Sequence, residues 1–245
     1  MKRILSKMRR AVADYSMISD GDRICVGVSG GKDSMTLLKA MSVYRRFSPE
    51  RFELQAVCVD TGLGADFSPL EEYARELDVP LLIKRTEIAR IVFDERKEKN
   101  PCSLCANLKR GALHNAALET GCRKIALAHH ADDLMETFFL GLLYEGRIHT
   151  FLPMTHLDRK DVTVIRPFLY VYENEIVYSA NRNGIPVIKS GCPADGFTKR
   201  EEMKELIKKL RTDIDGSEKR IFSAVMEYVN KEMKEGRGSE WIPQG

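Results

Sequence analysis

The sequence predicts an α/β fold: a mostly parallel five-stranded sheet with helices on both faces, followed by a helical C-terminal extension. Three observations carry that expectation. Short apolar runs alternate with amphipathic stretches as far as Ile165. A glycine turn, Ser29-Gly-Gly-Lys-Asp-Ser34, joins the first apolar run to the first helix-like stretch. Beyond about residue 170 the apolar spacing is mainly helical. Strands that alternate with helices favour parallel pairing with right-handed crossovers. They place ligands beyond the strand carboxyl ends, where strand order reverses.

The elements follow in order. Lys2, Arg3, Lys7, Arg9 and Arg10 precede the first acid, Asp14, with Ile4, Leu5, Met8 and Val12 at helical spacing among them. This predicts a basic amphipathic helix within residues 1–20, either a solvated face packed on the domain or a contact to a nucleic-acid backbone. Strands are expected over 24–28, 52–59, 80–84, 124–128 and 162–165, from their apolar runs. Helices are expected over 34–47, 70–77, 104–119 and 134–144, and then over 173–182, 199–211 and 218–234. No repeat, low-complexity tract or linker separates the parts, so 1–245 is expected to be one domain with 170–235 as its helical extension.

Bulk properties narrow the class. A chain of 245 residues with 43% hydrophobic and 31% charged content fits a soluble globular protein, and its net charge of +3 implies little alone. No stretch approaches the roughly 20 apolar residues that span a bilayer. The basic start lacks the apolar core and cleavage site of a signal peptide, so a cytoplasmic location without a membrane is expected. Six cysteines in such a chain argue against a disulfide framework. Cys25 and Cys58 lie in apolar runs and are expected to be small core residues; Cys122 carries no clear signal.

Chemistry gathers at the expected strand ends. A strand that ends in paired glycines and opens a helix is a phosphate cradle, because backbone N–H groups can approach phosphate oxygens at the positive end of the helix dipole. Ser29, Gly30, Gly31, Lys32, Asp33 and Ser34 form that cradle here. It is not a Walker A loop, which needs a glycine where Val26 stands and Ser or Thr where Asp33 stands. Asp33 suits a phosphate site only as a helix cap or beside a metal ion. Asp60 ends the second strand, as a turn former or a ligand contact. His129-His130-Ala131-Asp132-Asp133 follows the fourth strand. Helix capping by Asp132 accounts for one acid of that set, and the pair could hold Mg²⁺ or orient a nucleophile.

Cys102-Ser-Leu-Cys105 opens a helix, and Cys192 lies in the loop Ser190-Gly-Cys-Pro-Ala-Asp195. The spacing leaves three possibilities open: an iron–sulfur site, a Cys₃His zinc site with His114 or His156, or a redox dithiol. Lys109-Arg110 follows one to two turns beyond Cys105, as a surface cation pair or as cations facing the same pocket.

Ser-Gly-Gly-Lys-Asp-Ser resembles the PP-loop of the ATP pyrophosphatase superfamily. Together with Leu5-Ser-Lys-Met-Arg-Arg10, Met17-Ile-Ser-Asp-Gly-Asp-Arg23, Cys102-Ser-Leu-Cys105, Lys109-Arg110-Gly111, His129-His-Ala-Asp-Asp133, Ile165-Arg-Pro167 and the Cys192 loop, it resembles the tRNA 2-thiocytidine synthetase family over most of the chain. The resemblance implies a Rossmann-like fold of the adenine nucleotide alpha hydrolase type, with ATP, Mg²⁺ and a [4Fe–4S] cluster as cofactors. It implies that ATP adenylates O2 of an anticodon-loop cytidine and that sulfur then replaces the oxygen as AMP leaves. By this resemblance Ser29 to Ser34 bind the ATP phosphates. Asp60 and His129 lie near the nucleotide, Asp132 helps place Mg²⁺, and Lys109 and Asp133 assist adenylation. Cys102, Cys105 and Cys192 hold three irons. The implied partners are tRNA, a sulfur donor such as a cysteine desulfurase or free sulfide, and a second copy of the chain in a homodimer. Typical members carry a second Cys-x-x-Cys where this chain has Cys192-Pro-Ala-Asp195, which leaves three thiolates and opens the alternative of another base or a non-tRNA carbonyl. A PP-loop ligase using a nitrogen nucleophile and a non-enzymatic nucleotide- or metal-sensing module are the competing functions.

Overall fold

A computed structural model describes residues 1–96, 101–188 and 199–236. The chain runs α1 (Lys2–Asp14), β1 (Asp22–Gly27), α2 (Lys32–Arg45), β2 (Phe52–Asp60), α3 (Ser68–Glu76), β3 (Leu81–Arg85), α4 (Pro101–Glu119) and β4 (Lys124–Ala126). It continues with α5 (Ala131–Leu140), β5 (Met154–Leu157), β6 (Val162–Ile165), α6 (Glu173–Arg182), α7 (Lys199–Asp213) and α8 (Ser217–Lys234). Short π-helical segments at Arg90–Arg96 and Gly141–Glu145 precede α4 and extend α5.

The strands form one sheet in the order β3-β2-β1-β4-β6-β5. The first five pair in parallel and β5 runs antiparallel to β6. The sheet therefore has six strands rather than the expected five. The missed strand, Met-Thr-His-Leu, is a four-residue edge with two polar side chains, and apolar periodicity cannot reveal so short a run. A tight polar turn at Asp158–Lys160 returns it to β6, with Asp161 in the left-handed region at φ 48°. Aspartate is among the few residues that tolerate that conformation.

Central strands are buried on both faces, as parallel strands covered by helices must be. Ile24, Cys25, Val26, Ile125 and Ala126 are all fully buried. One core, built from α1, α2, α6 and the strands they cover, includes Ile4, Met8, Met35, Leu38 and Phe168. A smaller one on the other side joins Cys25, Val57 and Ile125 to Ala116 and Ala117 of α4. Each large apolar side chain so buried contributes about 1.5–3 kcal/mol relative to exposure. The helix α1 buries Ile4, Met8, Ala11 and Val12. Its Lys7 reaches Glu175 at 2.6 Å and lies over the Tyr172 ring, so part of the basic face is committed to the domain.

Strand order reverses between β1 and β4, since the chain builds outward from β1 to β3 on one side and from β4 to β6 on the other. That switch point is where an open α/β sheet leaves a crevice for ligand. The glycine turn follows β1 and the double-histidine segment follows β4, so both flank it. Among the described residues, no helix is long and apolar enough to cross a membrane.

Candidate active site

The cradle is built by its own serines. Ser29 N–H donates to Ser34 Oγ at 3.1 Å, and Ser34 Oγ in turn donates to the Gly31 carbonyl at 3.0 Å. Gly30 has φ +84°, and a Cβ there would stand 2.9 Å from the Ile188 Cβ, so only glycine fits. Ile188 N–H donates to the Gly30 carbonyl at 2.9 Å. Gly31 is the N-cap of α2 and supplies no side-chain cap, which leaves the first N–H groups of the helix available to an anion. Lys32 follows, one third exposed, with its ammonium 3.2 Å from Asp33 and 2.9 Å from Glu173. Asp33 does not cap the helix; its Oδ1 is buried without a hydrogen-bond partner among the described residues.

The segment after β4 forms a reciprocal cap. His130 N–H donates to Asp133 Oδ2 at 2.9 Å, and Asp133 N–H donates to His130 Nδ1 at 3.4 Å. Arg200 of α7 donates to Asp133 Oδ1 at 3.2 Å. Burial alone would raise the Asp133 carboxyl. His130, Arg200 and the His130 N–H outweigh it and hold the group below its ordinary value. Both Asp132 oxygens are engaged, Oδ2 by the N–H of Glu173 at 2.7 Å and Oδ1 by Arg211 at 3.4 Å. His129 is neutral, pushed down to about 3 by burial and then by Arg166, and its Nδ1 has no partner among the described residues.

The described part of α4 begins at Pro101, directly after residues 97–100, which lie outside the described residues. Cys102, Cys105 and Lys109 follow at i, i+3 and i+7, which puts two thiols and a cation on one helical face. Cys102 is exposed and Cys105 half-buried, neither in a disulfide. Lys109 lies near the carboxyl end of β2. Burial and Asp60 push the Cys58 thiol up to about 11, while the Lys109 charge draws it down. Asp60 Oδ1 accepts from Gly62 N–H at 2.8 Å, an Asx turn at that strand end. Cys25 and Cys122 are buried with their thiols pushed up by burial, so Cys102 and Cys105 are the metal-competent thiols among the described residues.

Cys192 and Asp195 fall in residues 189–198, outside the described residues. The flanks of that segment belong to the site: Ile188 is tied to Gly30 and Arg200 to Asp133. Among the described residues no three His, Cys, Asp or Glu side chains group to hold a metal, and the Cys192 that the Cys₃His zinc alternative needs lies outside them. Burial, then Arg110 and Lys160, push His114 down to about 4, while His156 bonds Thr163 at 3.1 Å.

Four further groups have no role assigned from the sequence. Arg166, at the carboxyl end of β6, is buried with Nη1 on the Leu152 carbonyl at 2.7 Å and Nε unpartnered among the described residues. Glu173 pairs with both Lys32 and Lys204. Glu136, one turn beyond Asp132 and Asp133, is only 5% exposed. Burial, then Asp133, pushes its carboxyl up to about 7. A raised carboxyl takes up a proton on folding. Its contribution is therefore fully present below its ordinary value of 4.5 and is lost as pH rises through about 7. Glu136→Gln is expected to flatten that slope and to melt roughly 2–6 °C above wild type near pH 8. A thermal melt series across pH checks this, and a wild-type curve level from about pH 5 to about pH 8 would count against it.

Residues 2–209 match the PP-loop domain family. A tRNA-cytidine(32) 2-sulfurtransferase of Pelobacter propionicus is 41% identical over 217 residues, covering 87% of this chain and 81% of the relative. A second, from Citrifermentans bemidjiense, is 38% identical and covers 91% and 89% respectively. Among solved structures, a U34-tRNA thiolase from Methanococcus maripaludis with its [4Fe–4S] cluster superposes with a TM-score of 0.75 over 94% of this chain and 78% of its own. At 22% identity that likeness establishes the shared fold.

Proposed function

The chain belongs to the PP-loop tRNA-cytidine(32) 2-sulfurtransferase family, and from that premise we propose that it is an ATP-dependent tRNA thiolase acting on C2 of an anticodon-loop cytidine. The observation that carries the reading is convergence at the switch point. An uncapped helix N-terminus with Lys32 follows β1, and an ionised Asp133 follows β4.

The chemical problem is a poor leaving group. A nucleobase carbonyl oxygen does not depart until it becomes a phosphate ester. The N–H groups of the Ser29–Ser34 cradle and the Lys32 ammonium hold the ATP phosphates. The Oδ1 of Asp33, without a hydrogen-bond partner among the described residues, is a hard oxygen donor beside them and fits a Mg²⁺ ion. Asp132 holds the start of α6 through Glu173 N–H. Lys109 offsets negative charge that develops as O2 attacks the α-phosphate. Asp133 is ionised near neutral pH, so it accepts a proton or orients a nucleophile rather than donating. Asp60 and His129 border the nucleotide, His129 as a neutral ring against Phe151 at 5.1 Å.

Cys102 and Cys105, accessible thiols one turn apart, fit two ligand positions of a [4Fe–4S] cluster, with Cys192 as the third. When bound, such a cluster supplies an iron corner without a thiolate ligand that can take up sulfide, chemistry that no side chain provides. The partners on this reading are tRNA and a sulfur donor, a cysteine desulfurase or free sulfide. The chain works as a cytoplasmic homodimer, each copy one domain.

Mass spectrometry of nucleosides from total tRNA tests the reading. Cells lacking the gene are expected to lose 2-thiocytidine and to regain it with a wild-type copy. Loss of a different thiolated base would reassign the substrate, and an unchanged set of thiolated nucleosides would overturn the function.

A further inference from the structure

Glu173 opens α6, and its Oε1 accepts from two ammonium groups at once, Lys32 at 2.9 Å and Lys204 at 2.9 Å. Lys32 comes from the first turn of the phosphate cradle and Lys204 from α7. Two like charges brought to one point repel each other, so the arrangement needs an anion between them. A single carboxylate oxygen fills that place here. The Glu173 backbone is fixed by its N–H bond to Asp132, but the side chain is not locked into the core: Glu173 and Lys204 side chains are 21% and 41% exposed. Glu173 can therefore swing away without disturbing α6.

We propose that Lys204 is a second phosphate-binding cation of the PP-loop site and that Glu173 is a stand-in anion which polyphosphate displaces. The inference rests on the ATP-binding reading above and extends the site to α7. On arrival of ATP, phosphate oxygens take over Lys32 and Lys204 and the Glu173 carboxylate withdraws. When the adenylate forms, the same pair retains the pyrophosphate set free until its release, and return of Glu173 favours its departure. The helix that follows the Cys192 loop thereby takes part in nucleotide binding.

The alternative is a static tie that only joins α2, α6 and α7. The two differ in sign. A static tie makes Lys204→Met and Glu173→Gln both weaken binding. Displacement makes them act oppositely, because one removes a phosphate ligand and the other removes its competitor. Isothermal titration of the full-length protein with magnesium pyrophosphate and with ATP reads this out, with melting curves to confirm folding. Lys204→Met is expected to weaken pyrophosphate about tenfold or more, and Glu173→Gln to tighten it about threefold or more. Acetylation footprinting of wild type needs no variant. Pyrophosphate is expected to protect Lys204 as well as Lys32. Weaker binding by Glu173→Gln, an unchanged affinity in Lys204→Met, or unprotected Lys204 overturns the proposal while leaving the ATP site standing. A wild-type protein that binds neither probe removes both.

Discussion

Replacing Cys102 by serine is expected to abolish sulfur transfer while leaving the fold intact. Cys102 is exposed on α4 and packs into neither core, so the substitution should change stability by no more than about 0.5 kcal/mol. Its thiolate has no substitute. Cys25, Cys58 and Cys122 are buried with raised thiols and cannot move to the α4 face. A hydroxyl is a far poorer ligand for iron, so 2-thiocytidine formation should fall by a factor of about 10³ or more. The measurement pairs iron content with thiolated product after anaerobic reconstitution. Cys102→Ser protein that kept full iron and normal turnover would remove this cysteine from the mechanism.

Asp133→Asn is expected to damage both activity and stability, and the two effects have separate signatures. Asparagine can still accept the His130 N–H but carries no charge for Arg200 or for a reacting proton. Loss of a positioned base lowers turnover by about 10²–10⁴. The stability cost is smaller, about 1–2 kcal/mol, because the Arg200 side chain is 42% exposed and solvent screens the pair. Asp133 has a lowered carboxyl, so its contribution is fully present above the ordinary value of 3.8 and is lost as pH falls through the lowered folded value. Asp133→Asn should accordingly lack part of the acid-induced loss of stability seen in wild type. AMP release assays and melts from about pH 3 to about pH 7 separate the two, and wild-type AMP release by the variant would discard the catalytic role.

The parts legible in the sequence are those whose signal is local. The β1–cradle–α2 unit was readable because an apolar run, a paired glycine and a helical period follow one another directly, and the structure starts α2 at Lys32, two residues before the expected 34. The described part of α4 already includes residues 101–103, ahead of the expected start at 104, which brings both Cys102 and Cys105 inside the helix. The strand β5 escaped because its four residues stand at an edge and carry two polar side chains. Asp132 shows the limit from the other direction. Its place after β4 is local, but the partners of its two oxygens, Glu173 N–H and Arg211, are ones that only the folded chain brings near.

Sequence alone determined the alternation of strands and helices, the phosphate cradle and the thiol pair on one helical turn. All of these follow from backbone conformation and side-chain period over a few neighbouring residues. Tertiary structure decided which charges meet. Arg200 reaches Asp133 across 67 positions and Lys204 reaches Glu173 across 31. Such pairings are set by how α7 lies against α5 and α6, which depends on shape and packing across the whole domain, and no local pattern of residues encodes them.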